Sequence, residues 1–405
     1  MATASTAASA LSRRASAVFP GSKFTRLPLS AKWALDPRLP SFLARGQGSH
    51  VWDVDGRKFV DFHCGFGASV LGYGAPEVEA ASAAAAAAAG GATLTGPTVL
   101  SIELAEKVLA LRPTCSWAML AKNGSDVTGL AKTVARAATG RRAILRERSA
   151  HTTWAYHGAG AWARGASGSP AIGVLPEEGA SVEVAFHYND LASVERALSE
   201  VGDEGAAAIF VGGCSYPYSD RTVEPTPEFA QGLRAIAQRT GALIVLDEIR
   251  TNFRVGGETG SATAPGGHWA ALGGVADLHC LSKALGNGHA IAALVGAESA
   301  RDAAANIMAT GTYWLSPAPM AAALRCLEVL EADSGSAVGR MVRLGLALGE
   351  GLRVEARRHG FEVSISGPPA MPFMTFDEEL PHARPLAERW CAAAAAGGAW
   401  LHPHQ

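Results

Sequence analysis

Short apolar runs separated by amphipathic stretches recur through the middle of the chain. Residues 206–211 (AAAIFV) and 242–246 (ALIVL) are continuously apolar over the length of a strand, and residues 293–295 lie in a third such run. Residues 229–240 have helical periodicity and end at Gly241. Because buried strands that alternate with helices are typical of a sheet covered on both faces, the pattern predicts an α/β fold with a mainly parallel sheet.

The flanking regions show other patterns. Residues 48–62 alternate apolar and polar positions around Asp55 and Gly56, which predicts a β-hairpin with a type I′ turn. Helices are predicted at four further places: residues 77–89, 101–111, 127–140 and 319–331. A smaller α+β unit is expected after the last of these helices.

Composition narrows the class of protein. The chain has 405 residues, of which 48% are hydrophobic and 18% charged, with a formal net charge of -2. This balance provides no basic surface for nucleic acid, and no stretch of about 20 apolar residues predicts a membrane span. The six cysteines form no CxxC pair, so no metal site is expected and a reducing compartment is favoured.

The first 35 residues contain five basic residues and no acidic residue. That composition fits two alternatives, a transit peptide or an N-terminal arm of the enzyme itself. The expected location is therefore the cytoplasm, with the plastid as the alternative if this segment is a transit peptide.

Two titratable residues follow apolar segments in the predicted sheet. Asp247 comes directly after the run 242–246, and Lys283 lies among apolar residues before a glycine-rich turn. Ligands of open α/β sheets bind beyond the carboxyl ends of the strands, and a desolvated lysine has the lowered pKa that Schiff-base chemistry requires. The alternatives are a capping aspartate and a solvated surface lysine.

A candidate phosphate site precedes the helix predicted from Val127. Backbone N–H groups at a helix N-terminus attract anions, and the hydroxyl of Ser125 would add a donor. The alternative is an ordinary helix cap by Ser125 or Asp126. The chain contains neither a GxxxxGK[ST] loop nor a strand-linked GxGxxG motif that would indicate a nucleotide.

Several motifs in order resemble those of class III pyridoxal-phosphate aminotransferases, nearest to the branch of glutamate-1-semialdehyde aminomutase. The motifs are WDVDGRKFVDF (52–62), KNGSDV (122–127), YHG (156–158), DEIRTNFR (247–254), LSKALGNG (281–288), GTYWLSPAPMAAAL (311–324) and GFEVSISGPPAMPFMTF (360–376). The resemblance extends over about residues 15–405.

The resemblance implies a role for each matching residue. Lys283 would form the internal aldimine with pyridoxal 5'-phosphate and shuttle a proton, and Asp247 would pair with the pyridine nitrogen. Ile249 would pack against the ring, while Gly124 and Ser125 would bind the phosphate through backbone amides.

Three further residues complete the implied site. Tyr156 would stack on the other face of the ring, as a third catalytic residue, with His157 beside it. His157 has the alternative of a core or loop histidine. Thr312 would reach the phosphate of the neighbouring subunit's cofactor, which implies a homodimer with shared active sites.

The resemblance also implies the architecture of a fold-type-I pyridoxal-phosphate-dependent transferase. The large domain, residues 76–319, would contain a mainly parallel seven-stranded sheet. The small α+β domain would combine residues 36–75 and 320–405, after an arm or transit segment at residues 1–35. Because relatives continue for some tens of residues, the small domain is expected to be truncated at its C-terminus.

The chain departs from the family pattern at several positions near the expected site. Gly212 and Gly213 stand where Glu-Pro is usual, which removes a carboxylate and leaves the substrate open. Asn252 replaces a glycine in the turn after Asp247, and because asparagine tolerates positive φ, the turn is expected to survive. Arg250 and Arg254 are expected to form structural ion pairs, with binding of a substrate carboxylate as the alternative.

The expected function is transfer of an amino group between an amino donor and an aldehyde or keto acceptor. The alternative is the intramolecular amino transfer of glutamate-1-semialdehyde 2,1-aminomutase, because both reactions use the same motifs. A third hypothesis is a catalytically impaired homologue, which the altered pocket residues suggest. The sequence does not identify the donor or the acceptor.

Overall fold

The computed structural model describes residues 7–19, 36–40, 42–91, 93–148, 183–216, 221–255, 266–332, 336–379 and 385–402. Its helices are α1 (Ala7–Val18), α2 (Cys64–Gly67), α3 (Pro76–Ala88), α4 (Val99–Ala110), α5 (Gly124–Thr139), α6 (Leu191–Val201), α7 (Pro227–Thr240), α8 (Gly267–Ala271), α9 (Arg301–Asn306), α10 (Pro317–Ala332), α11 (Ser336–Arg358) and α12 (Pro385–Ala396). Its strands are β1 (Leu43–Gln47), β2 (His50–Asp53), β3 (Lys58–Asp61), β4 (Trp117–Ala121), β5 (Ala143–Glu147), β6 (Glu183–Phe186), β7 (Ala206–Gly212), β8 (Leu243–Asp247), β9 (Leu278–Leu281), β10 (Ala292–Gly296), β11 (Val363–Ser366), β12 (Phe373–Phe376) and β13 (Ala399–Trp400).

Seven strands form the central sheet in the order β4-β10-β9-β8-β7-β5-β6. Only β10 runs against its neighbours, pairing antiparallel with both β4 and β9, while the other pairs are parallel. The mixed α/β fold with a mainly parallel seven-stranded sheet is therefore confirmed. The carboxyl ends of β7, β8 and β9 lie side by side, which places the residues after them at one edge of the sheet.

The central strands form because their side chains are apolar on both faces. Every residue of β7 is buried, and β8 is buried from Ile244 to Asp247. Helix α7 covers these strands, and specific residues define where the helix begins and ends. The Thr226 side chain accepts a hydrogen bond from the Phe229 amide at the start, and Gly241 adopts the left-handed conformation after the end.

The predicted hairpin is present, but its turn type was wrong. Strands β2 and β3 pair antiparallel, with Trp52 opposite Lys58. A type I′ turn needs positive φ at both central residues, whereas of the pair only Gly56 has one, at 82°. The Asp53 carboxylate instead organises a longer loop by accepting hydrogen bonds from the backbone amides of Asp55 and Arg57.

Residues far apart in the chain share a second sheet. Its order is β1-β2-β3-β13, and β13 pairs parallel with β3, so Ala399 lies opposite Val60. Strands β11 and β12, which precede β13 in the chain, form a separate two-stranded antiparallel sheet. Among the described ranges, no helix combines the length and the apolar character that crossing a bilayer requires.

Candidate active site

Asp247 ends strand β8 and places a buried carboxyl group at the edge of the sheet. The side chain is 5% exposed, and its Oδ1 accepts a hydrogen bond of 3.0 Å from the Ile249 amide. Its Oδ2 is buried and has no hydrogen-bond partner among the described residues. Burial raises the pKa of Asp247 to about 6, against the opposing effects of the Ile249 amide and Lys283. A buried oxygen without a partner is the feature expected where a bound group supplies the missing donor.

Lys283 follows strand β9, the neighbour of β8. Asp247 lies opposite Cys280 in the parallel ladder, and Cys280 is three residues before Lys283 in the chain. Burial of the amine, together with the positive charge of Arg250, lowers the pKa of Lys283 to about 7. A large fraction of this amine is therefore neutral, and hence nucleophilic, near neutral pH.

The backbone around Lys283 is held in an uncommon conformation. Its φ is 50°, in the left-handed region that few side chains other than glycine and asparagine adopt. Two buried hydrogen bonds fix the preceding residue, because Asn252 Nδ2 donates to the Ser282 carbonyl at 3.0 Å and Ser282 Oγ donates to the Ile291 carbonyl at 2.9 Å. These bonds determine where the lysine side chain begins.

The turn at Asn252 is present as expected, and the Asn252 amide donates a 2.7 Å hydrogen bond to the Glu248 carbonyl. The φ of Asn252 is not positive, and the adjacent Phe253 takes the left-handed conformation, with φ of 57°. Asn252 serves the site through its side chain, which connects the turn after β8 to the residue before Lys283.

Helix α5 begins at Gly124, beside the end of β8. Asn123 is the N-cap residue, and the Asp126 carboxylate accepts hydrogen bonds from the backbone amides of Lys122 (3.2 Å) and Asn123 (2.8 Å). The simple cap by Ser125 or Asp126 is therefore replaced by a capping box. The first-turn amides of Gly124 and Ser125 have no intrahelical partner and remain available for an anion.

Gly124 also contacts the residue expected to pack on the ring. A Cβ atom built on Gly124 would lie 2.7 Å from Ile249 Cδ1 and 3.0 Å from its Cγ2. Ile249 is 7% exposed. The absence of a side chain at position 124 thus allows the start of α5 to approach the segment that carries Asp247.

Gly212, which ends β7, and Gly213, which follows it, bring the turn at 248–254 close to this strand. The Gly213 amide donates a 3.0 Å hydrogen bond to the Asp247 carbonyl, and Gly212 lies opposite Asp247 in the ladder. A Cβ atom on Gly213 would lie 2.4 Å from Thr251 Oγ1. A proline at 213, the usual residue in the family, would lose that amide and collide with Thr251, so this departure fits the local packing.

A buried ionic network behind Asp247 was not predicted. The Glu248 carboxylate accepts two hydrogen bonds from Arg112, at 3.0 and 3.1 Å, and lies 2.8 Å from His279 Nδ1. Burial alone would raise the pKa of Glu248, but Arg112 and His279 lower it to about 2. Because these residues are distant in sequence, no local pattern indicates their contact. The network fixes both strands that carry the catalytic candidates.

Arg250 and Arg254 lie beside Lys283 but do not form the expected ion pairs. Within the described ranges, neither arginine pairs with a carboxylate. The Arg250 guanidinium stacks 4.2 Å from the centroid of the Tyr216 ring, and Arg254 donates to the Gly67 carbonyl. Both positive charges lower the pKa of Lys283.

Three predicted site residues remain: Thr312, Tyr156 and His157. Thr312 lies in a single turn of 3-10 helix, residues 312–315, and its side chain is exposed. The next residue, Tyr313, has its ring 5.1 Å from Lys122 Nζ, just before α5. Tyr156 and His157 lie outside the described residues.

The donor set fits pyridoxal phosphate. The Asp247 Oδ2, which has no partner among the described residues, suits a protonated pyridine nitrogen, and the first-turn amides of α5 suit a phosphate. The fold together with these residues defines a pyridoxal-phosphate-dependent enzyme. The chain belongs to the class-III aminotransferase family, whose model matches residues 34–404.

Individual relatives agree with this assignment. The chain is 35% identical to an aminopentol aminotransferase of Sphingopyxis macrogoltabida over 97% of this chain and 87% of that protein. It is 32% identical to a glutamate-1-semialdehyde 2,1-aminomutase of Chloroflexus aggregans over 80% and 73%. The solved structure of the FumI protein of Sphingopyxis sp. MTA144, in its PLP internal aldimine form, superposes with a TM-score of 0.84 at 33% identity, over 98% of this chain and 89% of that one.

Proposed function

We propose that Lys283 and Asp247 are the catalytic residues of a transaminase that moves an amino group from a donor to an aldehyde or keto acceptor. The observation that carries this proposal is the buried Oδ2 of Asp247, which has no hydrogen-bond partner in the described part of the chain and lies on the strand adjacent to the one that leads into Lys283. The adjacent strand ends thus bring together an acid that can pair with a ring nitrogen, Asp247, and an amine with a pKa of about 7, Lys283.

Each residue has a definite task in this proposal. Bound pyridoxal phosphate supplies an aldehyde that joins amines and a ring that accepts electrons from the attached carbon. Asp247 holds a proton at the ring nitrogen, and Lys283 removes and returns the proton at the substrate carbon. Ile249 packs on one face of the ring, while the amides of Gly124 and Ser125 bind the phosphate. Tyr156 and His157, which lie outside the described residues, are assigned to the other face by the resemblance alone.

A spectroscopic experiment tests the catalytic assignment. Purified protein loaded with the cofactor should show an absorbance band at ~410–430 nm that borohydride removes. The Lys283→Ala variant should lack this band but still bind the cofactor. A band that is unchanged in Lys283→Ala would refute the assignment, and a wild-type protein that binds no cofactor would instead indicate a catalytically impaired homologue.

Transamination and aminomutation are distinguished by their products. A panel of amino donors and keto acceptors should convert the bound cofactor between its aldehyde and amine forms in both directions. Glutamate-1-semialdehyde given alone should yield no 5-aminolevulinate. Formation of 5-aminolevulinate would favour the aminomutase alternative, which similarity to the Chloroflexus aggregans enzyme supports.

We further propose a homodimer in which Thr312 serves the neighbouring subunit's phosphate. Large apolar side chains are exposed around this segment and on α4: Met308 (98%), Tyr313 (62%), Val99 (68%) and Ile102 (60%). Mixing Lys283→Ala with Thr312→Ala subunits should restore activity, because one hybrid site then has both native residues. Mixtures no more active than the separate variants would contradict a shared site.

We also propose a division of the chain into two domains. Residues 76–319 would form the large cofactor-binding domain, and residues 36–75 with 320–405 the small domain. The pairing of β3 with β13 supports the grouping of both chain ends. Limited proteolysis should release a resistant fragment that begins near residue 76.

The proposed compartment is the cytoplasm, with the plastid as the alternative. All six cysteines are free thiols, as expected in a reducing environment. N-terminal sequencing of the mature protein from its source would distinguish the two, because a transit peptide would be removed.

A further inference from the structure

A cavity in the C-terminal part of the chain shares no residue with the proposed catalytic site. It has a volume of about 360 Å³ and lies between helices α11 and α12 and the two-stranded sheet of β11 and β12. This volume is near the lower end of the range of about 300–1,000 Å³ that sites for small molecules span. The cavity is therefore large enough for a small ligand.

The walls of the cavity are apolar and incompletely packed. Val363 of β11 and Phe376 of β12, both 8% exposed, form a small buried cluster with Ala387 of α12. Phe361 and Trp390 pack edge-on against Phe376, with ring centroids 5.8 and 6.5 Å away, but both side chains are only partly buried. Because side chains that line an empty apolar cavity lack dispersion contacts, an apolar group that fills it is stabilised.

Three exposed residues of the lining mark the mouth of the cavity: Glu355, His359 and Arg389. Glu355 is already paired with Arg358 at 2.6 Å. Arg389 of α12 forms no ion pair or hydrogen bond with any described residue, and the imidazole of His359 adds a possible donor beside it. The charge that remains available at the edge of this apolar cavity is thus positive, and an anion complements it.

We propose that this cavity binds a medium-chain aliphatic carboxylate, with its chain against the aromatic rings and its carboxylate at Arg389. The site goes beyond the proposed transamination, because no step of that reaction uses these residues. Trp390 packs on two buried clusters, the one beside the cavity and the one that joins α12 to the hairpin of β2 and β3. A ligand that contacts Trp390 should therefore stabilise this part of the folded protein by mass action.

Calorimetric titration of the cofactor-loaded protein with octanoate tests the proposal, with octanamide as the uncharged counterpart. Octanoate should bind more tightly than octanamide, and hexanoate about tenfold more weakly than octanoate, because it buries two fewer methylene groups. Arg389→Gln should weaken binding of octanoate by about 3- to 10-fold and leave octanamide unchanged. Arg353→Gln is the matched control, since Arg353 lies on α11, pairs with Glu350 and does not line the cavity.

Two further variants locate the ligand. Ala356→Leu places a larger side chain in the cavity, on a helix that tolerates leucine, and should weaken binding of octanoate and octanamide by at least about tenfold. Circular dichroism checks that this variant is folded. Bromine quenches tryptophan fluorescence on contact, so ω-bromooctanoate should quench the wild type. Trp390→Phe should lose this quenching and still bind octanoate.

Failure of the wild type to bind octanoate, or equal affinity for octanoate in Arg389→Gln, would overturn the proposal. Unchanged binding in Ala356→Leu, or unchanged quenching in Trp390→Phe, would place the ligand elsewhere and overturn it as well. Binding that occurs only in the protein without cofactor would have the same consequence, because the ligand would then occupy the catalytic site. None of these measurements requires turnover, so they decide the matter whether or not the transaminase proposal holds.

Discussion

The contact between Gly124 and Ile249 permits a sharp test of how the site is packed. In Gly124→Ala, the new methyl group would lie 2.7 Å from Ile249 Cδ1, whereas carbon atoms normally approach to about 3.5–4.0 Å. Ile249, which is 7% exposed, must therefore move by about 1 Å. Overpacking of this kind costs about 1–3 kcal/mol, which exceeds the gain from replacing glycine in the first turn of a helix.

The displacement should also affect the cofactor. The Ile249 amide donates to Asp247 Oδ1, so movement of Ile249 shifts both the proposed ring contact and the acid. We expect Gly124→Ala to lower the free energy of unfolding by about 1–2 kcal/mol and to weaken cofactor binding by at least about tenfold. Urea denaturation of the apoprotein and fluorescence titration with the cofactor measure the two effects.

Gly129→Ala in the same helix is the matched control. A Cβ atom there meets nothing within 4 Å, so the substitution should stabilise the protein by about 0.5–1 kcal/mol. Ile249→Val removes the Cδ1 atom and should partly rescue Gly124→Ala. Equal effects of the two glycine substitutions, or strict additivity with Ile249→Val, would refute the packing argument.

Three other perturbations follow from the site. Asp247→Asn should abolish detectable transamination but stabilise the apoprotein at pH 8. Burial raises the pKa of Asp247 to about 6, so the wild-type apoprotein loses stability as the pH rises from about 4 to 6. Unfolding curves at pH 4 and 8 measure this stability, and an equal effect of the substitution at both pH values would contradict the prediction. The rate at which the apoprotein captures the cofactor should rise with pH and level off above about 7, because burial lowers the pKa of Lys283 to that value. Stopped-flow absorbance measures this rate, and the midpoint of its pH dependence should lie higher in Arg250→Gln. Gly213→Pro should destabilise by about 3 kcal/mol or more in denaturant melts, because it removes the amide bonded to the Asp247 carbonyl and approaches Thr251; an unchanged midpoint would show that this bond is unimportant.

Local patterns were sufficient to predict the positions of Asp247 and Lys283. An apolar run followed by an acid marks the end of a buried strand, and parallel strands bring such ends together. The start of α5 was predicted only approximately, because the helix begins at Gly124 rather than Val127 and its N-cap is Asn123 rather than Ser125 or Asp126. The resemblance to the family added the roles of these residues, which spacing alone leaves open.

Contacts between distant residues could not be predicted in this way. Arg112 reaches Glu248 across 136 positions, and nothing near either residue indicates the other. The turn after β8 shows a subtler limit, since the left-handed conformation falls on Phe253 and not on the more tolerant Asn252. Asn252 contributes to the turn through its side chain, which donates a hydrogen bond to the distant Ser282 carbonyl.

The pairing of β3 with β13 has a consequence for synthesis of the protein. Val51 and Phe59, in the hairpin of β2 and β3, are buried in one cluster with Cys391 and Ala395 of α12. On the ribosome, this hairpin emerges more than 300 residues before the elements that cover it. Its apolar side chains remain open to solvent or to chaperones throughout that interval, so maturation of this sheet must follow translation of α12 and β13.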